Sequence, residues 1–519
     1  MSQEIRANYE QMDLLPQSIE DWVPRDHPAR FIREFVDALD LVELGFAERK
    51  SEEGRPPYAN DLMLKVWLYG YLARIRATRE LERACREHLS LIWLTGRHAP
   101  EHNSLGRFWA ANRRALREVF RVGVKVAAAQ GLIGMICHAV DGTKIPALAS
   151  RRTVEHQEDL EKVLARVEGE LEKMEAAIEA AEQAPGSDYR LPEGLRKAEK
   201  LRAAILDSLA KMRWAERAHL HPQEPEARLM PCEGRQDPAY NAQAVVDAQA
   251  SIIVAEEAVQ AESDIAQLVP MLEEVQANLG GVAKDTVADG GYSSGEQLEE
   301  AQARGYEVLV APGSETGGPK RGDYDSTEFA YEAEGDAVIC PQGQRLRFEG
   351  LKNKGGQRPA ARVYQCQHYQ DCPVRALCSP RRDGRRIELS PQSSALLRQR
   401  AKRQDGLQQA LLRRRKAIVE PVFAPLKQAM GFRRWTVRGL EDVRTQWAML
   451  CTTCNLKKLY QHWRAGHLAG AGKPQPPAST AVSPLLSCAG PIPGCHTLIR
   501  HPYSPPPGGF LSPPWATEF

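Results

Sequence analysis

Between residues 136 and 310 the chain alternates short β-prone runs with single helical stretches, and two of those runs end in an acid followed by glycine. No all-helical or all-β plan accommodates that order. Residues 136–144 (ICHAVDGTK) read as a strand ending at Asp141-Gly142, and residues 240–247 and 251–260 as two strands around a turn at 248–250. A helix from about 264 to 279 precedes the run DTVADGGY at 285–292, a buried strand that ends on Asp289 and two glycines. A helix near 295–303 and a strand at 306–310 follow. Strand, hairpin, helix, strand, helix, strand is a mixed α/β plan with a central sheet. In such sheets the carboxyl end of a strand borders the functional crevice, which singles out Asp289, although an isolated Asp-Gly is also ordinary turn chemistry.

The flanks are of different character. Residues 61–75 carry apolar side chains at helical spacing, Thr78 is placed to cap a helix starting at Arg79, and Asn103 or Ser104 to cap another through Phe108, Leu116 and Phe120. Several short helices with basic faces suit either a DNA-binding module or a plain packing domain. Leu160, Leu164, Val167, Leu171, Met174, Ile178 and Ala181 alternate steps of four and three, a coiled-coil seam. Pro185-Gly186-Ser187 breaks it, and Leu195, Ala198, Ile205, Leu209 and Met212 resume the stripe. The two segments predict an antiparallel helical hairpin inserted into the α/β region.

Whole-chain charge names no partner, being only +1, but from Arg398 to Arg438 twelve Lys or Arg face two acids, Asp405 and Glu420. That is the footprint of a surface for phosphates. If residues 413–427 are helical, Lys416, Glu420 and Lys427 share a face, a carboxylate between two ammonium groups suited to a divalent metal beside a polyanion; a solvated face is the alternative. Pro421 and Pro425 predict a kink or helix restart at Glu420. Trp435, between Arg433-Arg434 and Arg438, is placed either to lie against a sugar or base or to sit in the core. Residues 440–460 return to helix, with Cys451 and Cys454 as core thiols.

Cys340, Cys366, Cys372 and Cys378 stand among arginines in the long stretch between Asp289 and Glu420. Four thiols can close a tetrahedral Zn²⁺ site, though the spacing is looser than the usual knuckle; free thiols are the alternative. No apolar segment follows a basic start and no eighteen apolar residues run together, so the expectation is a cytosolic protein, neither secreted nor membrane-spanning, whose cysteines are thiols or metal ligands. Beyond residue 465 twelve of the 35 prolines gather with Gly, Ser and Ala, which predicts disorder.

The motifs VDGTK at 140–144, VADGGY at 287–292 and VEPVFAPLK at 419–427, followed by GFRRW at 431–435 and RGL at 438–440, resemble those of the DDE transposases of bacterial insertion sequences. Residues 62–71, 79–85 and 102–104 resemble the InsH-type helical domain that precedes the catalytic domain in that family. The resemblance spans about residues 10–460. It implies an N-terminal helical DNA-binding domain (1–130), an RNase H-like catalytic domain (131–464) interrupted by the hairpin (154–215) and a Cys/Arg-rich insertion (312–395), and a Pro-rich tail (465–519). It further implies Asp141, Asp289 and Glu420 as catalytic ligands of Mg²⁺ or Mn²⁺ and a DNA contact from Lys427, with Lys416 where the family usually has an Arg; the residues of 431–438 themselves suggest that Arg433 and Arg434 grip phosphates with Trp435 beside them. The implied partners are terminal inverted repeats, target DNA and a second copy of the chain, on the bacterial nucleoid. The Tyr that the family places seven or eight residues before the Glu is absent, with Leu411 and Leu412 in that neighbourhood. A metal-dependent nuclease on the same fold, or a zinc-stabilised DNA-binding protein without catalysis, are the alternatives.

Overall fold

The computed structural model describes residues 18–47, 56–182, 194–311, 324, 329–332, 335–352, 360–379, 383–389 and 391–471. Of the expected disordered tail at 465–519, residues 465–471 are helical and the rest lies outside the described residues, as does the break at 185–187. The N-terminal part is helical: α1 (Pro28–Asp37), α2 (Asn60–Leu72), α3 (Thr78–Glu87), α4 (Leu89–Leu94), α5 (His102–Ala111) and α6 (Arg113–Ala129). α2 is buried from Met63 to Leu68 and again at Gly70 and Tyr71, as a helix with so few polar positions must be. The expected caps are not used. Thr78 lies inside the first turn of α3 with no side-chain capping bond, and α5 starts at His102, whose backbone N–H donates to the Glu82 carboxylate at 2.9 Å.

The α/β part opens with β1 (Cys137–Pro146). Next, β2 (Glu155–His156) and β3 (His219–Leu220) pair as a clasp at the base of two long helices, α7 (Gln157–Glu182) and α8 (Leu195–Trp214). Val167 and Leu171 are buried, as are Ile205, Leu209 and Met212 across from them. Arg202 meets Glu168 at 3.3 Å while Gly194 lies against Met174, so the helices run antiparallel, as the heptad seam predicts.

The chain then returns through β4 (Arg228–Cys232), β5 (Arg235–Asp247), β6 (Ile253–Val259), α9 (Leu268–Leu279), β7 (Asp285–Ala288), α10 (Gly295–Ala303) and β8 (Val308–Val310). One edge of the long β5 pairs with β1, and the other with β4 near its start and β6 further on. Across the sheet the order is β6-β5-β1-β7-β8, with antiparallel pairing up to β1 and parallel pairing beyond it. The parallel half fits its crossover helices.

The stretch after β8 holds a second sheet that the sequence did not reveal: β9 (Ala330–Glu332), β10 (Ala337–Ile339), β11 (Arg345–Lys352), β12 (Ala361–Cys366) and β13 (Arg386–Leu389), antiparallel, with the short α11 (Arg375–Cys378) beside it. It has its own core of Phe329, Val338, Leu346, Tyr364, Ile387 and Leu389. Helices α12 (Pro391–Gln404), α13 (Gly406–Lys427) and α14 (Leu440–Ala471) complete the described residues. Among the described residues no helix is long and apolar enough to cross a membrane.

α14 joins the two halves. It packs along α6 on one side and β6 on the other. Arg113 grips Asp442 through Nε (2.6 Å) and Nη2 (2.9 Å), Trp109 Nε1 donates to the same carboxylate at 2.9 Å, and Tyr460 Oη donates to the Asp26 carbonyl at 2.8 Å. A single apolar core runs from α1 through the sheet to α14. The N-terminal helices are therefore docked on the sheet rather than tethered to it. Cys451 and Cys454 are buried in that core.

Candidate active site

Val140 of β1 pairs with Ala288 of β7, and each is followed by an acid, so Asp141 and Asp289 lie side by side where the two parallel strands part. β1 continues to Pro146 against β5, while β7 stops and turns. Asp289 shapes that turn: it is the N-cap of the 3-10 turn Gly290–Tyr292 and accepts the Gly291 N–H at 2.7 Å. Asp141 accepts its neighbour Gly142's N–H at 2.9 Å. Burial pushes its carboxyl up to about 6; Arg415 opposes this, whereas Asp289 and Asp264 add to it.

The third acid, Asp264, lies in the loop before α9, where sequence reasoning saw only a helix start. Its Oδ1 accepts from Asn241 Nδ2 (2.6 Å) and Gln243 Nε2 (2.7 Å), both buried residues of β5. Tyr292, also buried, donates its hydroxyl to Gln243 Oε1, and burial raises its pKa well above the usual phenol range. Two amides two positions apart, Asn241 and Gln243, in the otherwise mostly apolar run of 239–246 were a faint signal.

α13 runs along β1 and β7 and closes the site from the side. Asp405 caps its start, accepting the Leu407 N–H at 2.7 Å. The helix is continuous through Pro421 and Pro425, contrary to the expected restart. Ala417, Pro421 and Pro425 share one exposed stripe, so the carbonyls that lose their partners face solvent, while Ile418, Val419, Val422 and Leu426 pin the opposite face. From this helix Arg415 reaches Asp141, Nη1 to Oδ2 at 3.2 Å, with the two side chains 14% and 22% exposed. Glu420 projects from the same helix, exposed, with no hydrogen bond or ion pair to a described residue.

Of the expected DNA contacts, Lys416, Arg433 and Arg434 are exposed and Lys427 is half-buried. Trp435 is different. It is fully buried, donates Nε1–H to the Ile145 carbonyl at 3.1 Å, and meets Tyr240, Phe432 and Trp447 edge-on. The ring is a core group here, and its expected contact with a base or sugar gives way to packing.

Cys340, Cys366, Cys372 and Cys378 gather beside the second sheet. Cys340 sits in a tight turn in which its Sγ accepts the Gln344 N–H at 3.4 Å and its carbonyl accepts the Gly343 N–H at 2.8 Å. Burial pushes the Cys366 and Cys378 thiols up, and the neighbouring thiols add to the effect on each. Among the described residues no group of three or more His, Cys, Asp and Glu is already disposed around a metal position. The donor chemistry nevertheless suits two kinds of ion. Asp141, whose carboxyl resists ionisation beside other acids, is relieved by a hard dication, and a cluster of thiols by a soft one.

A family model described as a transposase DDE domain matches residues 339–460, which include Glu420 and the four clustered cysteines and begin beyond Asp141 and Asp289. A second, described as a transposase domain (DUF772), matches residues 17–111, the span from the N-terminus to α5. No curated protein and no solved structure matches the chain. A DDE domain implies an RNase H-like fold and a divalent metal, and the mixed sheet with two acids at adjoining strand ends agrees with both. The chain is thus a DDE transposase with an N-terminal transposase domain, an enzyme of phosphoryl transfer on DNA.

Proposed function

We propose that this transposase binds the terminal inverted repeats of its own mobile element, cuts the DNA there with Asp141, Asp289 and Glu420 and a bound Mg²⁺ or Mn²⁺, and joins the freed 3′ ends to target DNA. The observation that carries the reading is the pairing of Asp141 and Asp289 at adjoining strand ends beneath the basic helix α13. Asp141 and Asp289 would hold the cation, joined by Glu420 where Arg415 gives way to it; the cation, when bound, would activate the attacking water or 3′-hydroxyl and stabilise the departing oxygen of an in-line displacement. The chain's own residues do the rest. Lys416, Arg433 and Arg434 offer exposed cations to phosphates, with Lys427 beside them, and Asp141 holds its position through Gly142 and Arg415.

In this reading residues 1–130 form the DNA-binding helical domain and 131–464 the catalytic domain, with the hairpin of 154–215 and the insertion of 312–395 set into it. Residues 465–519 are a tail, and the protein works on the bacterial nucleoid. Two copies hold the two ends, with α7 and α8 as one contact between them; a hairpin deletion that leaves the mass in size-exclusion unchanged would sink that part. The four clustered thiols hold a structural Zn²⁺, a reading supported by the Cys340 turn, and protein purified without chelator that carries no zinc would end it.

The test of the main reading is a cleavage and strand-transfer assay on labelled DNA bearing the gene's flanking ends, in Mg²⁺ or EDTA. Metal-dependent 3′-end cleavage that Asp289→Asn and Glu420→Gln both abolish, while DNA binding survives, supports it. Cutting without joining points to a nuclease, and shifted but uncut DNA in every lane to a binding protein. Cutting that survives both substitutions means that the catalytic acids are elsewhere.

A further inference from the structure

Both acid motifs carry a glycine that backbone conformation does not require, since neither Gly142 nor Gly291 has a positive φ. Space explains them instead. A Cβ on Gly142 would lie 2.4 Å from Gln243 Nε2 and 3.1 Å from Asp264 Oδ1. One on Gly291 would lie 2.9 Å from Asp289 Oδ1 and 3.3 Å from Asp264 Oδ2. The nearest atoms belong to Gln243 and Asp289, and the Asp264 carboxylate, which comes from a different loop, is the one side-chain group that lies against both glycines.

That carboxylate is held on one side only. Its Oδ1 takes hydrogen bonds from the Asn241 and Gln243 amides. Gln243 Nε2 also donates to Asn241 Oδ1 at 3.0 Å, and the Tyr292 hydroxyl on Gln243 Oε1 fixes which end of that amide faces the acid. Two buried amides therefore converge on one oxygen, one of them held by Tyr292, while Oδ2 has no hydrogen bond or ion pair to a described residue and faces Gly291 beside Asp289. A carboxylate that served only to close the loop would need no buried clamp of neutral amides. Its backbone carbonyl already closes the turn by accepting the Gln267 N–H at 2.9 Å.

We propose that Asp264 is a further acid of the metal centre, its Oδ2 standing with Asp141 and Asp289 toward the divalent cation, and that Asn241, Gln243 and Tyr292 are positioning residues that aim it. This rests on the proposal that Asp141 and Asp289 hold that cation.

The test measures Mn²⁺ binding to the full-length protein by electron paramagnetic resonance, with thermal unfolding and DNA mobility shift as controls. Asp264→Asn keeps an oxygen for both amides and removes the charge; it is expected to weaken Mn²⁺ binding at least about tenfold, with unfolding and DNA binding unchanged. Tyr292→Phe, which frees Gln243 to turn, is expected to weaken it about threefold or more, and decides the matter if the Asp264 variant does not fold. Asp264→Asn and Tyr292→Phe that bind Mn²⁺ like wild type, while Asp141→Asn and Asp289→Asn lose it, would overturn the inference alone. Retention of binding in Asp141→Asn and Asp289→Asn would instead overturn the reading on which it rests.

Discussion

Asp141→Asn is expected to stabilise the metal-free protein at neutral pH. In the unfolded chain the Asp141 carboxyl ionises near 3.8, whereas in the folded protein it keeps its proton up to about 6. Folding therefore takes up a proton between those values, and stability is lost as pH rises through that window. At about 1.4 kcal/mol for each tenfold step in the equilibrium, the full gap amounts to about 3 kcal/mol, with the attraction of Arg415 already included. Asn mimics the protonated acid in shape and charge, so the variant should recover up to about that amount above pH 6 and almost nothing near pH 4. Urea unfolding in EDTA at pH 7.5 and pH 4 measures the difference directly. Mg²⁺ should then raise the midpoint of the wild type, by binding the folded state, and leave that of the variant in place. A variant less stable than wild type at pH 7.5, or a difference that does not change with pH, would refute the crowding argument.

Three other substitutions separate packing from contact. Trp435→Ala removes a fully buried ring and should cost about 3–5 kcal/mol in unfolding measurements, while the protein that remains folded keeps its DNA affinity. Arg433→Ala with Arg434→Ala should do the reverse: unchanged unfolding, weaker binding to every DNA sequence, and a salt slope reduced by about 2 in a titration of affinity against salt. Asp442→Ala leaves Arg113 and Trp109 without their shared acceptor and should cost about 1–3 kcal/mol, seen as earlier proteolysis of the N-terminal helices.

The parts of this fold that could be read from the sequence are those in which one residue type serves one local purpose. The hairpin of α7 and α8 follows from Leu171 and Leu209 because a heptad seam has a single way to bury itself. β1 and β7 follow from apolar runs that end in acid and glycine. Asp264 was not legible, because its importance lies in Asn241 and Gln243, 23 and 21 residues away, and in the room left by two glycines, one on β1 and one in the turn after β7. The second sheet was hidden for a related reason. Its β11 pairs edge to edge while leaving most side chains exposed, so Arg, Glu and Lys break the alternation that marks a strand. The prolines of α13 misled for the opposite reason, since local chemistry predicted a break and burial of Ile418, Val419, Val422 and Leu426 prevailed.

That same burial fixes the rotation of α13, and with it which charged group meets Asp141. Arg415 and Glu420 are five residues apart, about 140° around a helix axis, so they cannot both face the acid pair. As the structure stands, the guanidinium does so and the carboxylate faces outward. A dication about 5 Å from a guanidinium is repelled by about 2 kcal/mol even at the dielectric of water. A cation entering the site must therefore displace Arg415 or bind more weakly beside it. Arg415→Gln should tighten Mn²⁺ binding to the DNA-free protein by about tenfold or more, while Arg415→Lys, which keeps the charge, should not. DNA phosphates offer the displaced arginine another partner, so the gap between wild type and Arg415→Gln should narrow once DNA is bound. Equal Mn²⁺ affinities for wild type and Arg415→Gln without DNA would show that the arginine does not compete for the site, and that the outward position of Glu420 has some other cause.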